Sequence, residues 1–158
     1  MTKTTLHRLF ELGQSPWLDN ITRGIINSGE LKALIDKGIV GVTANPTIFE
    51  KALAGGTDYD DAISDLFRQN KSASDIYHSL LIADVSAAAD LFRPVFDATN
   101  GLDGYISIEV DPGLALDCDA TIQQALEFWE TVSRPNIFVK VPATPEGIPA
   151  IEELLYQA

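Results

Sequence analysis

The stretch NIFVKVPAT, residues 136–144, places an amine where an amine is costly. Ile137, Phe138, Val139 and Val141 read as a strand buried on both faces, and Lys140 sits inside it. An ammonium buried in an apolar setting must lose its proton or find a partner. A lysine freed of its proton near neutral pH is a nucleophile that forms a Schiff base with a ketone. A lysine that snorkels to solvent, or is neutralised by Glu109 or Asp19, is only structural. Glu109 stands between Ile108 and Val110, an unusual place for a carboxylate, and suits either an ion pair or proton transfer. Asp19, in WLDN, and Asn45, before Pro46, each have a plain reading as turn or cap residues. The four are more specific together than singly, because each falls near the end of a strand-like run and on one parity of it.

The elements that would position them follow from the hydrophobic pattern. Strand-like runs lie near 16–20, 39–45, 104–110 and 136–141, the second halted by Pro46 and the third by Pro112. Helical patterns separate them. SGELKALIDKG has Ser28 to cap its start and Gly38 to end it. A longer helical region carries Tyr59, Ile63, Leu66 and Phe67, then Ile76, Leu80 and Leu81, then Leu91, Phe92, Val95 and Phe96; Pro94 is expected to kink or end its last helix. DATIQQALEFWETV is capped by Asp117 or Asp119 and sets Ile122, Leu126, Trp129 and Val132 along one side. GIPAIEELLYQA begins a fourth helix. The βαβαβαβα order implies a parallel sheet.

Parity decides between an open sheet and a barrel. Alternate side chains share a strand face. Val42, Ala44, Ile106, Ile108, Val110, Ile137, Val139 and Val141 make aliphatic faces suited to covering helices. The opposite faces carry Asp19, Asn45, Glu109 and Lys140 near their C-terminal ends. A sheet covered by helices on both sides has no use for such a face, whereas a barrel gathers catalytic groups at that mouth. No G-x-G-x-x-G turn follows the first strand, so a dinucleotide fold is not indicated. The expected class is α/β, a parallel (β/α)₈ TIM-barrel type. Such barrels take about 250 residues, so residues 1–158 are read as one N-terminal half-barrel domain containing the first four β/α units.

Composition narrows the function classes. The formal charge of −12 and pI near 4.3 disfavour nucleic acid and anionic membrane as partners. Cys118 is the sole cysteine and reads as inert, and no Cys/His cluster has metal-ligand spacing. With no long apolar run and no leader-like N-terminus, the expected location is cytoplasmic. His7 and His78 read as surface or packing residues, Trp17 and Trp129 as core, and DYDDAISD as a solvated helix face.

SPWLDNI, GVTANPTIFEKAL, SIEVDPGLA, TIQQALEFWETVSRPNIFVKVPAT and EGIPAIEELL together resemble the N-terminal half of a transaldolase, in register from about Gly13 onward. The resemblance is to the longer bacterial form, with a type fused to glucose-6-phosphate isomerase as an alternative parent. It implies that Lys140 forms the Schiff base with a ketose donor. Asp19 would take the C4 hydroxyl proton as the carbon–carbon bond breaks, and Glu109 would act through a water on imine formation and hydrolysis. Asn45, Thr43 and Ser107 would hydrogen-bond the dihydroxyacetone unit or that water, with Thr144 as support. It implies sugar-phosphate substrates, no cofactor, no metal, and transfer of dihydroxyacetone from sedoheptulose 7-phosphate to glyceraldehyde 3-phosphate in the pentose phosphate pathway. The family's phosphate clamp would lie beyond Ala158. A half-barrel also leaves two open sheet edges, which invite a C-terminal half or a second copy. The competing reading is a non-catalytic half-barrel that serves as an assembly subunit or remnant.

Overall fold

Four short runs of extended chain pair side by side, all parallel, in the order in which they occur. The computed structural model describes residues 3–157. Its strands are β1 (Trp17–Leu18), β2 (Gly41–Thr43), β3 (Tyr105–Glu109) and β4 (Ile137–Lys140). Each is shorter than the hydrophobic pattern predicts, although backbone hydrogen bonds run on past the strand ends, from the Ala44 N–H to the Ser107 carbonyl at 2.9 Å and from the Val110 N–H to the Lys140 carbonyl at 3.2 Å. Helix α1 (Thr5–Glu11) precedes β1. Helices α2 (Arg23–Asn27) and α3 (Glu30–Asp36) follow it; α4 (Pro46–Ala54), α5 (Asp60–Arg68) and α6 (Ala73–Ala98) follow β2; α7 (Cys118–Val132) and α8 (Gly147–Gln157) follow β3 and β4. This is an α/β arrangement consistent with part of a TIM barrel.

The aliphatic parity of the strands faces the helices, as expected. Val42, Ile106, Ile108 and Ile137 are buried with Phe49, Val85, Ala88, Phe92 and Phe128 from the helix layer. Each such side chain removed from water contributes about 1.5–3 kcal/mol. That packing fixes the opposite face of the sheet toward the open side.

Several local expectations are corrected. Ser28 ends α2, though its hydroxyl accepts from the Glu30 N–H at the start of α3 at 3.4 Å, and Gly29, at φ 80°, stands at the N-cap; the turn needs a left-handed residue there, which glycine supplies. Pro94 does not end α6, which runs on to Ala98; packing of Val85, Ala89 and Phe92 in the core outweighs one lost backbone hydrogen bond. Phe67 is exposed. In α7 the buried side is Thr121, Ala125, Phe128 and Val132, one position away from the stripe read through Ile122, Leu126 and Trp129, and Trp129 is half-exposed. Threonine and alanine at the contact made that side look polar, although they let the helix approach closely. Asp117, not Asp119, caps α7 by accepting from the Ala120 N–H at 3.0 Å.

Candidate active site

The register sets the open-side residues in layers. Trp17, Gly41 and Tyr105 are level with one another, then Thr43, Ser107 and Phe138, then Glu109 and Lys140. One residue beyond β1, continuation of the same register brings Asp19 level with Thr43. The lower part is aromatic: Tyr105 and Phe138 stack with centroids 3.9 Å apart, and Trp17 lies parallel to Phe138 at 6.3 Å. Gly41 makes room for this floor, since a Cβ there would meet Trp17 Cε2 at 2.3 Å. Gly41→Ala is therefore expected to destabilise the chain by about 1–3 kcal/mol through overpacking. The same change should shift the tryptophan fluorescence as Trp17 leaves its stack; an unchanged spectrum and urea midpoint would count against the floor.

Above the floor the surface becomes polar and connected. The Lys140 Nζ lies 2.8 Å from Glu109 Oε2 and donates to Thr43 Oγ1 at 3.2 Å. The Ser107 hydroxyl donates to the same Thr43 oxygen at 2.9 Å. Four of the sequence-predicted site residues thus form one network drawn from β2, β3 and β4. The expectation of a strand buried on both faces is corrected: Ile137 is buried, but Phe138 is 47% exposed and the Lys140 side chain 38% accessible. Lys140 is held by a partner on the open face instead of being sealed in the core.

The other predicted residues are placed differently. Asn45 caps α4, its side-chain oxygen accepting from the Ile48 N–H at 2.9 Å, which leaves the amide nitrogen and the oxygen's second lone pair for a ligand. Asp19 is exposed in the bend after β1, and among the described residues its side chain has no hydrogen bond or ion pair. Thr144 is a local support: its hydroxyl donates to the Ala115 carbonyl and accepts from the Gly147 N–H, joining the loop after β4 to the loop after β3. The four residues first singled out do not all touch; only Lys140 and Glu109 do.

Two features were not read from the sequence. A cavity of about 380 Å³ adjoins Glu109 and is lined by Glu50, Ser74, Tyr77, His78 and Asp111 as well. Burial, with the Glu50 and Asp111 carboxylates adding to it, holds the Tyr77 hydroxyl above its ordinary range. His78 packs edge-on against Tyr77 and Phe128, which agrees with the packing role expected for it. The second feature is a charged cluster behind β1 formed by Arg23, Asp84 and Tyr59. Asp84 in LLIADVSAAA, a carboxylate alone in an apolar helical run, was the available signal. Among the described residues no group of three or more His, Cys, Asp or Glu side chains suits a metal ion, and no helix is long and apolar enough to cross a membrane.

The model of the family described as Transaldolase/Fructose-6-phosphate aldolase matches residues 16–157. The chain belongs to that family. The match takes in all four strands and every member of the Lys140 network. Among curated relatives, the chain is 47% identical over 156 residues to the protein named Transaldolase from Trichodesmium erythraeum, covering 98% of this chain and 41% of that one. It is 47% identical over 155 residues to Transaldolase from Saccharopolyspora erythraea, covering 98% of this chain and 42% of the relative. With Transaldolase from Acidothermus cellulolyticus the identity is 49% over 151 residues, covering 95% and 41% respectively. The chain thus spans about 41% of the length of these transaldolases.

Proposed function

We propose that this chain supplies the covalent part of a transaldolase site, with Lys140 as the Schiff-base nucleophile. The observation that carries the reading is the Lys140 amine at a strand end, within 2.8 Å of Glu109 and 3.2 Å of Thr43 on the open face. The amine adds to the donor's ketone carbon to give a carbinolamine. Glu109, beside the amine, takes and returns protons through a water as that adduct loses water to become an iminium ion. The iminium is an electron sink, so the bond between C3 and C4 breaks as Asp19 takes the C4 hydroxyl proton. An aldose phosphate leaves and a three-carbon enamine stays on Lys140. The enamine adds to an acceptor aldehyde, Asp19 returns the proton, and water releases the new ketose. Thr43, Ser107 and the Asn45 amide would hold the hydroxyls of the bound unit. The donor is sedoheptulose 7-phosphate and the acceptor glyceraldehyde 3-phosphate, the reaction of the pentose phosphate pathway in the cytoplasm.

Borohydride reduction in the presence of fructose 6-phosphate tests the reading. A stable mass gain of one dihydroxyacetone unit on the peptide containing Lys140 is expected. Adduct on another peptide, or none at all, would overturn it.

The sheet edges bear on partners. Among the described residues β1 and β4 each pair on one side only, and Phe138 beside the open β4 edge is half-exposed. We propose that these edges take a further β/α segment or a second copy. Sedimentation of the purified chain should then show a dimer or larger species that disappears when a C-terminal half is added. A stable monomer without any addition is the contrary result.

A further inference from the structure

We propose that Tyr59 and Asp84 are positioning residues that act through Arg23 to fix the segment carrying Asp19. The inference rests on the proposed role of Asp19 and adds the means by which that carboxylate is held. β1 is two residues long and lies at the sheet edge, so pairing alone gives Asp19 little support. Its own side chain has no partner among the described residues. The chain is instead pinned just downstream. Ile21 is buried in the core, and the Thr22 hydroxyl caps α2 by accepting from the Ile25 N–H.

Arg23 then enters a cluster drawn from two distant elements. Its backbone N–H donates to the Tyr59 hydroxyl at 2.9 Å, and that hydroxyl donates to Asp84 Oδ2 at 2.7 Å. The guanidinium donates through Nε to Asp84 Oδ1 at 2.8 Å and lies 4.6 Å from the Tyr59 ring centroid. Tyr59 is 1% and Asp84 3% exposed. Next to it, Gly24 lets the segment preceding α5 approach: a Cβ there would meet Asp58 Oδ2 at 2.7 Å. One tyrosine hydroxyl thus serves the backbone of the Asp19 segment and the carboxylate that holds its arginine.

Tyr59→Phe is the mild test, because it removes one oxygen and keeps the ring under Arg23. Amide hydrogen exchange on the full chain should speed about tenfold at Arg23, Ile25 and Ile26, whose N–H groups bond the Tyr59 hydroxyl and Thr22, the effect of one lost buried hydrogen bond, while β2 and β3 keep their protection. Acceleration at the Arg23 amide alone, or equally across the chain, would overturn the proposal. Incubated with fructose 6-phosphate, the variant should release glyceraldehyde 3-phosphate about tenfold more slowly, within the range that misplacement of a catalytic group produces. Its borohydride-trapped adduct of intact fructose 6-phosphate should be undiminished, since imine formation does not use Asp19, while the adduct of dihydroxyacetone mass forms more slowly, in step with release. A parallel fall in release and in the intact-ketose adduct would also overturn the proposal; where the chain alone releases no aldehyde, the exchange pattern decides. Asp19→Asn separates the two readings: if release survives that change, the role given to Asp19 fails while the exchange result still stands or falls by itself.

Discussion

Lys140→Ala should reduce borohydride-trapped adduct to background, and Lys140→Arg should do no better. A guanidinium keeps its proton and cannot form the imine, although it can still pair with Glu109. The other lysines, at 3, 32, 37, 51 and 71, are all exposed on helices or loops, away from the strand ends. None is placed to substitute. The change should cost little stability, within about 1 kcal/mol, because the pair with Glu109 is partly exposed and such pairs contribute weakly. A loss of trapping in a chain whose urea midpoint is unchanged is therefore the expected pattern. Retention of the adduct mass in the alanine variant would show that another residue carries the carbonyl chemistry.

The route to Lys140 was legible because strand parity is a strict geometric rule. Ile106, Ile108 and Ile137 had to face the helices, so Ser107, Glu109 and Lys140 had to face away, and the register then set Glu109 level with Lys140. The strand order and direction followed from the alternation of elements and were found as expected. What parity does not specify is the covering of the open face. Lys140, whose strand read as buried on both faces, is 38% accessible and ion-paired with Glu109 beside an exposed Phe138, as the readings of an open half-barrel interior and of a neutralised lysine allow. Helix faces were read less well where small residues make the contact. Ala125 and Thr121 carry little hydrophobic signal, yet α7 packs on them and leaves Trp129 half-exposed. Asn45 kept the ambiguity it had in sequence, since the oxygen that caps α4 belongs to the side chain expected to meet substrate. Contacts between elements far apart in sequence, such as Arg23 with Asp84, have no local periodicity and were not anticipated.

Arg23→Leu should be among the most destabilising single changes in the chain, by about 3–5 kcal/mol. The Arg23 and Asp84 side chains are 16% and 4% accessible, so removing the cation leaves a carboxylate buried with only the Tyr59 hydroxyl to answer it. Ordinary domains have about 5–15 kcal/mol of stability in all, so a clear fall in the urea midpoint follows. The loss should depend on pH in a set direction. Burial already holds the Asp84 carboxyl above the usual carboxylate range, against the hydrogen bonds from Tyr59 and Arg23 and the charge of Arg23, which pull it down. An acid whose folded value lies above its unfolded value binds its proton more tightly when folded. Its contribution to stability therefore falls as pH rises through the window between the two values. Loss of Arg23 raises the folded value further and widens that window upward. The deficit of the variant should accordingly shrink as pH is lowered toward the carboxylate range, where a neutral Asp84 no longer needs a cation. Asp84→Leu added to Arg23→Leu should recover much of the loss at neutral pH, because replacing both members of a buried pair by apolar groups is often close to neutral. A deficit independent of pH and unrelieved in the double variant would place the cost in lost packing of the arginine stem over Tyr59, not in the stranded charge.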